Sequence, residues 1–442
     1  MAERLIAFAD KASDPVLATQ PSYQLLALPP ALLNLLTSSS TALDQAPLEI
    51  RGDPQDSAVL VTTTETYALR GVQNSNSLCV CASGDEQRGR KRWFVGRGDN
   101  GDTRLSDEEG EGPAQKKRKQ ENPIEIEAVL HETLEAVPGV ARTEKLAGML
   151  KGCEYEGESV EDERVGDGQP NPRNKHTLDS LRSRLPASDA EIRTALSRKR
   201  IVTLNTFLRP LSSSFLLSIL PSLLSTLPLP AEIAHGSAPA AKKKDKTAKG
   251  KETKPAVAAA SSPLWAEANE ADLLDALDAV ECGNDEVAGQ VLAFFGERVE
   301  GASRKRWNID GRQVVREVGV VLLAERGFGQ QPLDPFIARW KSLCGGFAPV
   351  CELSLLAGLI LHRPPPLDTL QYLPPSSLSP DAATRFSELF SLKPRWIEAE
   401  MSLFVDDLTG GDKKKRDALV LKFVRKVKEG ATTWWTARNL WS

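Results

Sequence analysis

The chain has 442 residues, too long for a single hydrophobic core, so two to four domains are expected. Hydrophobic residues make up 40% and charged residues 26%, an ordinary globular balance with polar linkers. That balance excludes a fibrous or wholly disordered chain, and the net charge of −4 hides bases gathered in blocks at 116–119, 242–254 and 413–438. The charged start MAERLIAFAD carries no long apolar run, so secretion is not expected. Phe215 to Leu229 is the most apolar stretch, but Ser218, Pro221 and Pro228 interrupt it and no membrane contact is expected. Six cysteines (Cys79, Cys81, Cys153, Cys282, Cys344, Cys351) fit neither a zinc knuckle nor a disulfide framework, which predicts reduced intracellular thiols.

Residues 1–95 read as short strands with one helix. Leu25, Leu26 and Leu28 precede Pro29-Pro30, and Ala31–Leu36 forms a short helix started by proline. Leu48 and Ile50 begin a strand that closes on the turn residues Arg51-Gly52-Asp53-Pro54. Strands follow at Val59–Val61, Tyr67–Val72, Leu78–Ala82 and Trp93–Val95, and β-branched and aromatic residues favour a half-buried pleated surface. Cys79 and Cys81 share one strand face, where buried thiols are expected rather than metal ligands. The fold class expected is α+β, with this module a small β-barrel. Its apolar content is thin for independent stability, which points to completion by partner chains.

A linker follows at 96–122, carrying Lys116, Lys117, Arg118 and Lys119 after a proline; the dense run predicts a nuclear localisation signal, hence a nuclear protein. A solvated charge run is the plainer alternative. From 123 to 235 the pattern is helical. Ile124, Ala128, Leu130 and Leu134 predict an amphipathic helix ended by Pro138-Gly139, and an acidic Gly-rich insertion spans 154–168. Thr177 starts a short helix that Pro186 breaks, and Ser188 with Glu191 forms a capping box for Asp189–Ser197. The β-branched strand Ile201–Leu204 comes next. Helix, turn, helix, strand is the outline of a winged helix.

Residues 236–263 form a flexible basic linker rich in Ala, Lys and Pro. A second winged helix is assigned to 264–365. Leu273, Leu274, Leu277 and Val280 make one helical face, Val314, Val315, Val318, Val321 and Leu322 another, with further helices at Leu333–Leu343 and Leu353–Leu361. The third winged helix spans 366–442. Ser379-Pro380-Asp381 starts its first helix, Lys393-Pro-Arg-Trp396 opens a second with Ile397, Met401, Phe404, Val405 and Leu408 on one face, and a third runs from Lys413 to Glu429. A wing strand is expected at Thr432–Arg438.

Between Lys413 and Arg438 there are nine bases and two acids. A basic face is usually only a solvated face. In a winged helix, however, the third helix enters the major groove while the wing touches the backbone. The expected DNA contacts are therefore Lys413, Lys414, Lys415, Arg416, Lys422, Arg425, Lys426 and Arg438, to phosphates and without sequence preference.

Enzyme motifs do not survive inspection. Gly96, Gly98 and Gly101 match a dinucleotide fingerprint, but an acidic Gly-rich run follows instead of an apolar helix. Gly84 and Gly89 have Walker spacing, but Arg90 stands where lysine is needed. His131, His176, His235 and His362 are scattered, and no G-x-S-x-G elbow occurs. No catalytic residue, metal or cofactor is expected.

Two stretches resemble one family. TYALRGVQNSNSL, from Thr66 to Leu78, is similar to a signature of the defective-in-sister-chromatid-cohesion (Dcc) family, an accessory subunit of the alternative replication factor C clamp loader. FSELFSLKPRW (Phe386 to Trp396), Phe404–Leu408, Leu421–Arg425 and Thr436–Arg438 resemble its far end in the same order, with a weaker likeness over Trp307 to Leu361. The linkers at 96–122 and 238–263 and the acidic insertion depart from it. The resemblance implies a non-catalytic subunit acting on the PCNA sliding clamp in replication and cohesion. It also implies partners: a small loader subunit, the C-terminal tail of the large subunit, and DNA polymerase epsilon. Leu60, Tyr67, Leu69, Arg70 and Leu78 would then meet the partner chains, with Ser75, Asn76 and Ser77 pinning a turn. The competing class is a free-standing winged-helix DNA-binding regulator.

Overall fold

The computed structural model describes residues 6–8, 23–37, 48–54, 56–83, 124–165, 171, 173–230, 233, 262–280, 282–301, 305–430 and 432–438. The basic run Lys116–Lys119, the glycines 96–101, the strand expected at 93–95 and the basic linker's lysines lie outside them. The fold is α+β, in two units. The first takes in residues 1–50, 56–62 and 66–139; the second 51–55, 63–65 and 140–442.

The first unit is a curled half-barrel sheet. Its elements are β1 (Ile6–Phe8), β2 (Leu25–Ala27), α1 (Pro30–Thr37), β3 (Glu49–Arg51), β4 (Val59–Val61), β5 (Thr66–Ser83) and β6 (Ile124–Pro138). Strand order is β1-β6-β5-β4-β3, and β2 also pairs with β6. The frame is the long antiparallel ladder of β5 and β6, against which β1 and β2 lie parallel. Its core is small: Leu32 of α1 packs with Leu60, Tyr67 and Ala136, while Leu28, Leu48 and Leu69 are half-buried around it.

β6 corrects the helix expected from residue 124. Ile124, Ile126, Ala128 and Leu130 repeat at every second position, a strand period that the i, i+4 reading overlooked. The ladder from β5 supplies the backbone partners that decide between the two periods. This strand also lies past the boundary at residue 95, so the sheet recruits chain from beyond the first linker.

The second unit begins with α2 (Lys145–Met149), α3 (Glu158–Val165), α4 (Leu178–Arg182), α5 (Asp189–Arg198), and the hairpin β7 (Ile201–Leu204) and β8 (Phe207–Pro210). The Ser188–Glu191 capping box forms as its spacing predicts, and Thr177 makes another with Ser180. Between β7 and β8 the chain reverses at Asn205 and Thr206, both at positive φ. α6 (Ser213–Thr226) follows and keeps Pro221 inside it.

Next come β9 (Trp265–Asn269), α7 (Glu270–Asp278), α8 (Asp285–Phe295), β10 (Gly296–Val299), β11 (Arg306–Asp310), α9 (Gly311–Arg326), β12 (Gln330–Pro332), α10 (Leu333–Cys344), β13 (Ile360–Arg363) and β14 (Thr369–Tyr372). They form sheets β10-β11-β9 and β12-β14-β13. The apolar face of α6 packs with Leu273 and Leu277 of α7, Val291 of α8, and Val314 and Val318 of α9 in one continuous core. Trp340 seals it, its indole N–H donating to the Val315 carbonyl at 2.8 Å. The helix expected at Leu353–Leu361 is instead a 3-10 turn, Leu353–Leu356, leading into β13. Gly358 at φ 78° turns the chain between them, a left-handed conformation that no helix accommodates.

The acidic insertion is not an interruption. Its Glu161, on α3, meets the guanidinium of Arg209, whose side chain is fully buried. Arg209 also donates to Asn174 and to the carbonyls of Cys153 and Glu154, at 2.7–3.1 Å. Burying an ion costs several kcal/mol unless its partner and remaining donors are satisfied, and here every donor group has an acceptor. Replacing Arg209 by Met removes the closest cation from Glu161, leaving it Asn171 and the more distant Arg173, and takes a donor from the Cys153 carbonyl. The expected loss is about 3–5 kcal/mol, read as a lower urea midpoint, whereas Arg193→Met on the exposed side of α5 should change it by less than about 0.5 kcal/mol.

Candidate partner and nucleic-acid interfaces

The polar patch at 74–77 lies within β5. Its backbone leaves register there: Gln73 pairs with Glu132, but the next partners are Leu78 and Leu130. The extra residues make a wide bulge, and Ser77 Oγ lies 3.3 Å from His131 Nδ1 across it. Ser75, Asn76 and Ser77 therefore punctuate a strand instead of forming the turn expected of them.

This bulge divides the β5–β6 ribbon into two halves of different character. In the half nearer α1, Leu60 and Tyr67 are each 3% exposed, filling the sheet's own core. Both side chains, expected to meet partner chains, are buried here by the chain's own Leu32 and Ala136. Leu69 is half-buried beside them, and Arg70 reaches the Glu135 carboxylate at 3.4 Å on the open face. Beyond the bulge β1 pairs with residues 124–126 of β6, and Val80, Ile126, Ala128 and Leu130 are half-buried, while other apolar side chains are open to solvent. Leu78 is 44% and Val129 40% exposed, and Cys79 and Cys81 are exposed as well. The thiols expected to be buried are open because the core of α1 does not extend past the bulge. Leu25, Leu26 and Ile50 add apolar surface on β2 and β3.

The second surface belongs to the C-terminal module: α11 (Ala382–Leu392), β15 (Arg395–Ile397), α12 (Glu398–Ser402), α13 (Lys413–Phe423), β16 (Val424–Glu429) and β17 (Thr432–Ala437). The cap of α11 is Asp381, whose carboxylate accepts from Thr384 N–H at 2.8 Å. That hydrogen bond holds the carboxyl below its ordinary range. Two helices are shorter than their patterns suggest. Trp396 stands in β15 opposite Trp435, and the long helix expected after it becomes α12 and a 3-10 turn at Asp406–Thr409. The third helix stops at Phe423, because Val424–Glu429 pairs with the expected wing strand β17 in the sheet β15-β17-β16. A ladder to Trp434 and Trp435 outweighs continued helix where Val424 and Val427 are β-branched.

At the centre of this module is Arg385, 3% exposed, bonded to Asp407 and to the carbonyls of Phe404 and Ser379. The core around it stacks Phe386 on Phe423 and sets Trp396 edge-on to Phe404.

The eight bases expected to meet DNA divide into two groups. Lys413, Lys414 and Lys415 are exposed on the first turn of α13, Lys422 on its last turn, and Arg425 on β16. Arg416 is instead tied to Asp406 at 2.7 Å, which raises its already high pKa. Lys426 reaches Glu398 at 3.3 Å, and Arg438 donates to the Leu421 carbonyl. These three are committed within the module. No local pattern signals that split, since each partner lies ten or more residues away. Arg395, a base with no local sequence signal of a role, is held by Glu429 at 2.6 Å, with its guanidinium 4.9 Å from the Trp434 ring centre.

A polar cavity of about 180 Å³ lies beside Arg209, between Tyr155, Glu158, Asp162, Asn174 and Asn284. Its lining holds carboxylates and amides with no His, Ser or Cys. Burial pushes the Tyr155 hydroxyl up, and it donates to the Cys282 carbonyl at 3.1 Å.

The family model for sister chromatid cohesion protein Dcc1 matches residues 23–405. The chain belongs to that family. The family is named for sister chromatid cohesion. The match runs from just before β2 through α12, leaving β1 and α13 outside it. A relative from Saccharomyces cerevisiae, sister chromatid cohesion protein DCC1, is 28% identical over 155 residues, 35% of this chain and 40% of the yeast protein.

The exposure pattern sets an order of thiol reactivity. A bulky polyethylene-glycol maleimide should label Cys79 and Cys81 of the native chain within minutes and leave Cys153, Cys282, Cys344 and Cys351 unlabelled until urea is added. Gel shifts count the labelled thiols; equal labelling of all six would contradict the burial described.

Proposed function

We propose that this chain is a non-catalytic subunit of the alternative replication factor C clamp loader. In this role it helps the loader act on the PCNA sliding clamp and contributes to cohesion and DNA replication in the nucleus. The observation that carries the reading is the open β5 edge of the far half of the sheet, with its exposed apolar side chains. Beyond the bulge the sheet narrows to β1, β6 and β5, with the β5 edge open, and it presents Leu78, Val129 and two thiols to solvent. A strand added by another chain would pair its edge and bury those side chains, the β-augmentation mode. The partners proposed are the small loader subunit and the C-terminal tail of the large subunit.

In the second unit the helical groups with their three-stranded sheets act as tandem winged helices, which meet DNA and DNA polymerase epsilon. Lys413, Lys414, Lys415, Lys422 and Arg425 touch phosphates, where binding releases counterions and reads no sequence. Tethering loader, polymerase and template raises their effective concentration at the fork and requires no chemistry from this chain.

Two experiments test the two halves of the proposal. Co-expression with the small subunit and the large subunit's tail should yield a ternary complex in which Cys79 and Cys81 no longer react with maleimide. A chain that ignores both partners, with those thiols still open, sinks the loader reading and favours the free-standing regulator. For DNA, exchanging Lys413, Lys414 and Lys415 together for Ala should weaken duplex binding equally across sequences. The slope of log K against log salt should fall by up to about 2.7, at roughly 0.9 for each phosphate no longer neutralised. Arg416→Ala should leave that slope nearly unchanged, since its charge is spent on Asp406.

A further inference from the structure

The open edge of β5 is unusual for an exposed strand. Among the described residues β4 pairs with Thr66–Val61 register partners up to Ala68 alone, and no strand meets that edge from Leu69 to Ser83. Edges left open in folded proteins are normally blunted by charge, above all lysine, or by proline. From Gly71 to Ser83 this one has neither, although β6 on its other side carries Glu125, Glu127, Glu132 and Glu135. Past the wide bulge the edge is also apolar, with Leu78, Cys79 and Cys81 exposed and Val80 half-buried. The further irregularity between Val80 and Cys81 places its extra residue, Glu127, on β6, so β5 itself runs on regularly.

The order of residues there is symmetrical about Val80. Ser77-Leu78-Cys79-Val80-Cys81-Ala82-Ser83 reads serine, apolar, cysteine, valine, cysteine, apolar, serine from either end. A two-fold axis through Val80 pairs two such edges antiparallel, an isologous contact of one patch with itself. In that register position 79 of one copy lies opposite 81 of the other, 78 opposite 82, and 77 opposite 83. Apolar meets apolar, serine meets serine, and no like charges meet.

We propose that the β5 edge is an interface for a second copy of this chain, paired antiparallel about Val80 whenever no other strand occupies it. Main-chain hydrogen bonds across the axis take up the backbone groups that the edge leaves open. So short a contact is small, and the pair is weak and dissociates on dilution, which leaves both thiols open to labelling. A strand from another protein and a second copy compete for the same edge.

The thiols give this register a signature. Directly opposite residues of an antiparallel pair have Cα atoms about 4.5–5.5 Å apart, inside the roughly 4.4–6.8 Å that a disulfide spans. Within one chain, two strand steps separate Cys79 from Cys81 by about 6.7 Å, at the far limit of that span. There the Cys81 thiol donates to the Cys79 carbonyl at 3.9 Å. Bridges between copies are therefore favoured over a bridge within one.

The test uses the full chain alone, so its outcome is separate from that of the co-expression experiment. Sedimentation velocity should show a monomer–dimer equilibrium that moves to dimer as concentration rises. Glutathione disulfide should then trap the dimer. The Cys79 thiolate displaces one glutathione from the reagent, and the Cys81 thiolate of the second copy displaces the other from Cys79. Both glutathiones leave as thiols with the two cysteine protons, so the cysteines lose two electrons and the reagent gains them. Peptide mapping of the covalent dimer should join Cys79 to Cys81, a bond lost with dithiothreitol. Cys79→Ser alone and Cys81→Ser alone should each lose the cross-link. An equimolar mixture of the two variants should regain it, because only there does a Cys79 face a Cys81. A chain that stays monomeric and resists trapping, a Cys79–Cys81 bridge within one chain, or cross-links as strong in either single variant as in the mixture would each overturn the inference. The map of the unaltered chain decides the matter even where a serine variant folds poorly.

Discussion

The first unit depends on the pairing of β5 with β6. Eighteen residues of one strand and fifteen of the other give each other most of their backbone partners, and every remaining strand of the sheet attaches to one of these two or to β4. Such a ladder satisfies backbone groups along its whole length, but only side-chain burial offsets the entropy of ordering it. That burial exists on one side of the bulge and not on the other. The register shift between Gln73 and Leu78 is where the sheet passes from buried to largely exposed apolar side chains.

The second unit solves a different problem. Its helices carry ample apolar surface, and a single continuous core unites α6 to α10. Its irregular connections are fastened by buried arginines. Arg209 gathers α3 and two backbone carbonyls, Arg385 gathers the turns around α11, and Arg200 pairs with Glu317 while lying over Phe295 at 4.4 Å. A guanidinium suits this task because its fixed fork of donors serves several acceptors at once without giving up its charge. Each is also a vulnerability, since removing the arginine takes the closest cation from a largely buried carboxylate or its carbonyl neighbours.

Charge at the C-terminal module follows the same logic in reverse. The bases drawn inward by Asp406, Glu398 and a backbone carbonyl shape the module, and those left outward keep their charge available. Lys413 to Lys415 stay exposed because Asp412, the cap, accepts from the backbone N–H groups of Lys414 and Lys415 and not from ammonium groups. Burial and pairing, more than the number of bases, separate scaffold from surface.

Local rules were legible in the chain from the start. Capping at Ser188, the proline start of α1, the periodic faces of α7 and α9 and the strands around Val59 and Tyr67 follow from contacts within a few residues, which sequence spacing encodes directly. The Thr66–Leu78 and Phe386–Trp396 stretches likewise carried the family resemblance. The tertiary structure decided what depends on distant partners. It made residues 124–138 a strand, because β5 offered a ladder, and ended the basic helix at Phe423, because Trp434 and Trp435 did the same. It sent Leu60 and Tyr67 inward while leaving Cys79 open, and it chose which bases are paired. Two periods can coexist in one apolar pattern, and a charged side chain is equally stable facing water or a carboxylate. Only the three-dimensional neighbours break those ties.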